Sequence, residues 1–456
     1  MALFQVFTGY IALLAVLGVL VAYAYYRDTL HPLLVLLPAA SYIYVYMPVD
    51  LYASGALTRY LGFEELSMVQ GFNAACLTAL FLGCVAGSRG VRREEGKRDV
   101  HYLQLTPAWR RRLYVLSLVL GGIGLLLYFY QLSNVGGFIS AYSRPKGGGT
   151  AASGYLRDFT ILTLPAVILL FMSRPHQSWR ARDTALTVLF VLPQLGHGLL
   201  SARRGPTFMG IATLVVGWYL IRYERPALLT VLGGGVATAV LLLILVNFRG
   251  QIYLGSDFFS QPPEVGSAIE QSIESNTEGS YGNTFIYGSQ AVVLARDYEY
   301  QYWGARYLTY VFVRPIPSAI WPDKYRDVGM EAILFNTGVI QKDVAAEALD
   351  TIPPGAAPGF AADFFVEFGW FAVFAIFGVG YVFGALWRYA LVFGGVWTVI
   401  YGTTFALSLY FVSQSFGAFL FRFLEVAVVT YVAWRYFYRQ HFGAVLGSKR
   451  PVARHA

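Results

Sequence analysis

Residues 361–387 read AADFFVEFGWFAVFAIFGVGYVFGALW, and this stretch decides how the rest of the chain is interpreted. After Glu367 the run contains no charged residue up to position 387. A transmembrane helix needs about 20 predominantly apolar residues, so we expect this segment to cross a lipid bilayer. Asp363 and Glu367 precede the apolar run four residues apart, which places them on one face of the helix.

The composition extends this interpretation to the whole chain. Of 456 residues, 56% are hydrophobic and only 13% are charged, and the mean hydropathy is +0.52. Soluble proteins carry about 25% charged residues, so an ordinary soluble enzyme is excluded. The two cysteines, Cys76 and Cys84, lie in one apolar run, which leaves no disulfide framework and no cysteine-based metal site.

Eleven segments are long and apolar enough to span a bilayer, with a re-entrant feature as the alternative for 33–49 and for the pair 184–200 and 206–222. They are 3–26, 33–49, 67–87, 112–132, 156–173, 184–200, 206–222, 227–248, 361–387, 390–412 and 417–438. We therefore predict an all-α polytopic membrane protein with about 11 transmembrane helices. Helices 1–8 occupy residues 1–248, and helices 9–11 with a cytoplasmic tail occupy 361–456. Between them, residues 249–360 form one large outer loop with two amphipathic helices, near 264–275 and 285–312.

The orientation follows from the positive-inside rule. Loop 88–111 and the other loops on its side of the membrane carry most of the Lys and Arg residues, so they should face the cytoplasm. The N-terminus and the large loop are then periplasmic and the C-terminus is cytoplasmic, as in a multi-pass protein of a bacterial inner membrane. The net charge of +8 is explained by this topology, and we favour that explanation over nucleic-acid binding.

Several basic residues oppose the topology rule, because they lie at the outer ends of spans or inside one. They are Arg203, Arg204, Arg249, Arg314, Lys324 and Arg422. Cations at membrane depth are costly, and the arginine fork matches the oxygens of phosphate groups. A bound pyrophosphate would account for them. Alternatively, Arg203, Arg204 and Arg249 extend to the interface, Lys324 is solvated, and Arg422 pairs with Glu425 within its helix.

Two acids balance these cations at the outer start of the ninth span. A partly buried carboxylate at Asp363 or Glu367 is suited to take a proton from an attacking hydroxyl. The alternative is that acids favour helix N-termini and anchor a neighbouring arginine. No P-loop, dinucleotide fingerprint, HExxH or Cys/His metal spacing occurs in the sequence, so we expect no cofactor and no metal. Gly233–Gly235 and the Gly380/Gly384 pair predict close helix packing.

Three stretches together resemble the O-antigen polymerase (Wzy-type) and oligosaccharide repeat-unit polymerase families. Ala202 to Pro206 (ARRGP) is similar to the family's Arg-Gly turn, with Arg204 the better match. Arg314 to Lys324 (RPIPSAIWPDK) is similar to the family's Pro-x-x-x-Trp-Pro-x-Lys segment and includes Trp321. Asp363 to Gly369 (DFFVEFG) is similar to a Glu-x-Tyr-x-Asn-Phe-Gly pattern, with Asp363 in place of Glu and Glu367 in place of Asn.

The resemblance implies a membrane glycosyltransferase of the GT-C type. Such a polymerase moves a growing glycan from undecaprenyl pyrophosphate to the non-reducing end of an incoming lipid-linked repeat unit at the periplasmic face. Arg204 with Asp363 or Glu367 would then be catalytic. The substrate would be bound by Arg203, Arg249, Arg314, Lys324, Trp321 and Arg422. Expected partners are undecaprenyl-pyrophosphate-linked oligosaccharides, membrane lipids and a chain-length regulator protein, and no nucleic acid.

Two other functions share these features. An O-antigen ligase-like transferase, which hands finished glycan to another acceptor, has the same large outer loop and arginines. A transporter of lipid-linked oligosaccharides also uses arginines in a membrane cavity, but its charges should line a path to both faces. Here the unusual charges gather at the outer side, which favours the polymerase.

Overall fold

The computed structural model describes most of the chain. The described residues are 1–91, 105–144, 147, 158–174, 178–222, 225–248, 250–256, 283–299, 301–318, 320–330 and 357–448. Every regular element within these ranges is a helix. The prediction of an all-α fold is therefore confirmed for the described part of the chain.

Seventeen α-helices, numbered in chain order, make up the described structure. The first nine are α1 (Ala2–Leu20, continued by a π-helical turn Val21–Tyr25), α2 (Leu33–Ser41), α3 (Met47–Ala53), α4 (Phe63–Gly87), α5 (Pro107–Asn134), α6 (Gly137–Tyr142), α7 (Thr163–Ser173), α8 (Ala181–Leu200) and α9 (Arg204–Arg222). The others are α10 (Leu228–Asn247), α11 (Thr284–Asp297), α12 (Ala305–Leu308, continued by a π-helical turn Thr309–Val313), α13 (Lys324–Asp327), α14 (Gly359–Phe368), α15 (Ala372–Val392), α16 (Val396–Ser413) and α17 (Phe416–Ser448).

Nine helical stretches in the described ranges are long and apolar enough to cross a membrane. They are Ala2–Tyr25, Leu33–Ala53, Phe63–Gly87, Pro107–Asn134, Ala181–Leu200, Leu228–Leu245, Gly359–Val392, Val396–Ser413 and Phe416–Arg439. The other two predicted spans are also helical: Phe159–Ser173 is apolar but shorter, and α9 begins and ends on an arginine. The protein is thus built as a polytopic membrane protein.

The helices run between two ends of one bundle. At the end called here the loop end, Asp363 near the start of α14 accepts a hydrogen bond from the backbone N–H of Phe416, where α17 begins (2.9 Å). At the opposite end, the buried Asp28 after α1 pairs with Arg225 before α10 and accepts a hydrogen bond from Trp387 in α15 (3.0 Å). Hydrogen bonds and an ion pair therefore connect helices that are distant in sequence at both ends of the bundle.

The contact between α4 and α15 depends on glycines. A Cβ atom on Gly83 or Gly87 of α4 would lie 2.2 or 2.1 Å from a backbone oxygen of α15, and one on Gly384 of α15 would lie 2.2 Å from the backbone oxygen of Cys84. Close helix packing at the Gly380/Gly384 pair is confirmed. The same prediction is wrong for Gly233–Gly235 in α10, since no described atom lies within 4 Å of a Cβ built there.

The contact between α4 and α15 gives a stability prediction, and α15 also provides a matched control. We expect Gly384→Ala to reduce the free energy of unfolding by about 1–3 kcal/mol, because the new methyl group forces two backbones apart. Gly378→Ala should be neutral or slightly stabilising, because a Cβ at Gly378 meets nothing within 4 Å among the described residues and alanine favours the helix. Thermal unfolding of both variants in detergent checks this, and equal melting temperatures would contradict it.

The large loop differs from its prediction in two ways. The predicted helix 285–312 is broken, because α11 ends at Asp297 and α12 begins at Ala305, with Glu299, Trp303 and Gly304 at positive φ between them. Moreover, α11 is buried almost all around rather than amphipathic and packs on α14 as part of the main core. The predicted helix 264–275 lies outside the described residues.

Candidate functional site

Two of the predicted arginines meet at the loop end around one aspartate. Arg314, just after the π-helical turn Thr309–Val313, lies 2.7 Å from Asp158, and Arg422 of α17 lies 3.6 Å from the same carboxylate. Both guanidinium groups also lie over the ring of Phe421, at 4.1 and 4.4 Å from its centre. These four residues are called the arginine cluster below. Its cations come from segments more than a hundred residues apart.

The first turn of α9, called the Arg204 turn below, lies near the arginine cluster because both contact Tyr410. Gly205 lies so close to the Tyr410 ring that a Cβ would be 2.6 Å from it. The guanidinium of Arg422 lies 4.4 Å from the centre of that ring. Gly205 is therefore required for the Arg204 turn to approach α16, and Tyr410 links this turn to the arginine cluster. Arg204 itself is an electrostatic neighbour of Tyr42.

Arg422 lies inside the bundle rather than at its surface. It is six residues after the start of α17, which is about 9 Å along the helix axis, and its side chain is 13% exposed. The guanidinium donates a hydrogen bond back to the Ala418 carbonyl (2.7 Å), toward the loop end, as helical side chains tend to point. The charge is thus held near the loop end although its Cα lies deeper.

Lys324 and Trp321 form hydrogen bonds with nearby residues of their own loop. Lys324 is 2% exposed, and its ammonium donates hydrogen bonds to the carbonyls of Arg314 (3.1 Å) and Ile316. Burial lowers the pKa of Lys324, and the charge of Arg314 lowers it further. Lys324 therefore fixes the backbone that presents Arg314, whereas Trp321 donates its indole hydrogen bond to Asp327 (2.7 Å). The alternative that Lys324 is merely solvated is wrong.

The remaining two predicted cations are Arg203 and Arg249. Arg203 is an electrostatic neighbour of Tyr142, whereas Arg204 is an electrostatic neighbour of Tyr42. Arg249 lies outside the described residues. Its predicted role stays a prediction.

Asp363 and Glu367 lie on one face of α14 and share a buried partner that the sequence did not single out. Arg306 of α12 pairs with Asp363 (2.7 Å) and with Glu367, and all three side chains are at most 4% exposed. Burial alone lowers the pKa of Arg306, but the two carboxylates outweigh burial and hold it above its ordinary value. The three residues are called the Arg306 triad below.

Each carboxylate oxygen of the Arg306 triad accepts a hydrogen bond. The second oxygen of Asp363 accepts from the Tyr307 hydroxyl (2.9 Å) and the Phe416 backbone N–H (2.9 Å), and the second oxygen of Glu367 accepts from the Gly304 N–H (2.7 Å). The triad therefore joins α12, α14 and the first turn of α17. This is the anchoring role that the sequence left open, and proton transfer by either acid stays a prediction.

The expected pair between Arg422 and Glu425 is not formed. Arg422 uses Asp158 instead, and neither carboxyl oxygen of Glu425 has a hydrogen-bond partner in the described part of the chain. Asp158 immediately precedes the 3₁₀ turn Phe159–Leu162, and its distance in sequence from both arginines hid this contact. Asp158, Arg306 and Tyr410 were not predicted as site residues, because their contacts depend on tertiary structure.

The site combines adjacent guanidinium groups, aromatic rings and buried acids at one end of a membrane bundle. Such an arrangement suits a ligand with several anionic oxygens. Among the described residues, no group of three or more His, Cys, Asp or Glu side chains could hold a metal ion.

Comparison with known proteins identifies no relative: no family model, no curated protein and no solved structure matches this chain.

Proposed function

We propose that the protein is a GT-C-type glycosyltransferase that polymerises lipid-linked oligosaccharide repeat units. It would transfer the growing glycan from undecaprenyl pyrophosphate to the non-reducing end of an incoming lipid-linked repeat. In this proposal eleven helices span a bacterial inner membrane, the loop end and N-terminus face the periplasm, and the C-terminus is cytoplasmic. A chain-length regulator protein would be a further partner.

The observation that carries the proposal is the convergence of Arg314 and Arg422 on one carboxylate, with the Arg204 turn beside them. A pyrophosphate offers each arginine a pair of oxygens. As the glycosyl bond to the pyrophosphate breaks, negative charge grows on the leaving oxygen. Fixed positive charges in a site with little water stabilise the negative charge on the leaving oxygen more than water does.

Asp158 occupies the position that this ligand would take. Its two carboxylate oxygens each face one guanidinium, at 2.7 and 3.6 Å, as two phosphate oxygens would. Binding of the donor would exchange Asp158 for the pyrophosphate at the arginine cluster. The ring of Tyr310 stacks on that of Phe421, with 6.2 Å between the ring centres. Together with Tyr410, these rings would limit the access of water to the leaving group.

A reconstitution experiment tests the proposal. The purified protein is incubated in liposomes with lipid-linked repeat units, without nucleotide or added metal, and the glycans are resolved on a gel. A ladder of products supports the polymerase. Transfer of label to a different lipid or core acceptor would favour the ligase-like reaction instead, and movement of label between leaflets without new glycosidic bonds would favour transport.

A further inference from the structure

Glu425 is a buried acid that takes no part in the ion pairs described above. It lies on α17, three residues after Arg422, and is 5% exposed. Neither of its carboxyl oxygens has a hydrogen-bond partner within the described ranges. A buried polar group without hydrogen bonds is costly, and acids within membrane spans usually have a function. The position therefore calls for a ligand that binds the carboxyl group.

The charges around Glu425 are those of the arginine cluster. Asp158, Arg422 and Arg314 are the groups that act on it electrostatically. Side chains three residues apart are neighbours on a helix surface, and helical side chains tilt toward the N-terminus, which for α17 is the loop end. Glu425 thus lies beside the proposed pyrophosphate position, one helical turn farther into the bundle than Arg422.

The surroundings of Glu425 also determine its protonation state. The two cations near it bind other groups: Arg314 pairs with Asp158, and Arg422 donates to the Ala418 carbonyl and faces the same aspartate. A carboxylate buried without a hydrogen bond costs far more free energy than a neutral carboxylic acid in the same place. Glu425 therefore keeps its proton, and its carboxyl group offers one O–H donor.

A pyrophosphate is longer than the carboxylate that it would replace. The two oxygens of Asp158 each face one guanidinium group, so one phosphate group is enough to fill that position. This group is called the first phosphate group below, and the second phosphate group then needs partners beside the arginine cluster. An ionised carboxylate there would repel it, whereas a neutral carboxyl group donates a hydrogen bond to it.

We propose that the neutral carboxyl group of Glu425 donates a hydrogen bond to the second phosphate group of the donor, an assignment that rests on the proposed function. Arg314 and Arg422 bind the first phosphate group in place of Asp158. The proton stays on Glu425 throughout, so the residue binds the pyrophosphate and takes no part in proton transfer. Glu425 thereby lets the site distinguish a pyrophosphate carrier from a monophosphate carrier.

The test compares the wild-type protein with Glu425→Met and Glu425→Gln. The affinities of the full-length protein in detergent are measured for two probes, undecaprenyl pyrophosphate and undecaprenyl monophosphate. Glu425→Met keeps an unbranched side chain but removes the donor. It should weaken binding of the pyrophosphate about 10- to 100-fold, the usual contribution of a hydrogen bond to a charged group, and leave binding of the monophosphate unchanged. Glu425→Gln retains an N–H donor and should bind both probes like the wild type.

Stability measurements and a control variant exclude an indirect effect. The melting temperature of Glu425→Met should not fall, because no hydrogen bond to the described residues is lost. Thr430 is the matched control, since it is also fully buried on α17 and its hydroxyl has no hydrogen-bond partner within the described ranges. It lies eight residues after Arg422, about 12 Å along the helix axis. Thr430→Val should bind both probes with wild-type affinity.

The outcomes separate this assignment from the proposed function. A Glu425→Met variant that binds undecaprenyl pyrophosphate as tightly as the wild type overturns the assignment, and so does an equal loss for both probes. A Glu425→Gln variant that loses as much affinity as Glu425→Met also overturns it, since the donor would then not matter. The expected binding pattern without any ladder from repeat units would keep Glu425 as a pyrophosphate ligand and refute the polymerase. If the wild-type protein binds no undecaprenyl pyrophosphate, both fail.

Discussion

Arg314→Ala is expected to abolish the polymer while the protein still folds and inserts into the membrane. The variant removes one of the two guanidinium groups that would hold the leaving pyrophosphate, and loss of one such stabilising group costs about 10²–10³ in turnover. Asp158 keeps Arg422 as a partner, so no buried charge is left alone. The same loss of polymer is expected for Arg204→Ala, whose turn adjoins Tyr410.

A matched control lies in the same loop. Arg326 is 58% exposed and pairs with Asp323 at the surface, and such pairs contribute little. Arg326→Ala should therefore give a normal ladder at a normal protein level. The measurement is the glycan profile of cells that depend on each variant, normalised to the amount of membrane-inserted protein. Unchanged polymer length in both Arg314→Ala and Arg204→Ala would refute the pyrophosphate assignment.

Arg306→Ala is expected to have the largest effect on stability. The substitution leaves the buried carboxylates of Asp363 and Glu367 without their cation. Removing one partner of a buried ion pair typically costs about 3–5 kcal/mol. The connection between α12, α14 and α17 would weaken, and we expect a lower melting temperature and a smaller monodisperse fraction in size-exclusion chromatography.

Two further variants sharpen this stability test. Arg306→Lys keeps the charge but lacks the planar fork that reaches both acids, so it should be intermediate. Arg296→Ala, which removes a 37% exposed arginine, should be close to wild type. An Arg306→Ala protein as stable as wild type would mean that the two acids do not depend on Arg306.

The helices were predictable because membrane spans follow from local composition. Long apolar runs predict a helix wherever they occur, and a spacing of four residues placed Asp363 and Glu367 on one face without knowledge of the fold. The glycines of α15 carried the same kind of local signal. Each of these features depends only on residues within one helix.

The partners of the charged residues were not predictable in this way. Arg306 is separated from Asp363 by 57 residues and Asp158 from Arg314 by 156, so no local pattern connects them. The break before Gly304 likewise depends on tertiary contacts, because the backbone N–H of Trp303 donates to the carbonyl of Glu367 (2.7 Å). The sequence pattern predicted one helix over 285–312, but contacts with α14 hold the segment between α11 and α12 in a non-helical conformation.

The contact of Asp158 with both arginines has a consequence for how the protein would select its lipid. A bilayer presents phosphodiester headgroups in vast excess over any pyrophosphate carrier, and each diester carries one negative charge. Exchanging the Asp158 carboxylate for another single charge gains little, because the attraction to Arg314 and Arg422 stays about the same. A pyrophosphate brings a larger negative charge and more oxygens to the guanidinium groups of Arg314 and Arg422. Asp158 would thus keep ordinary phospholipids out of the site and leave it open to a scarce carrier.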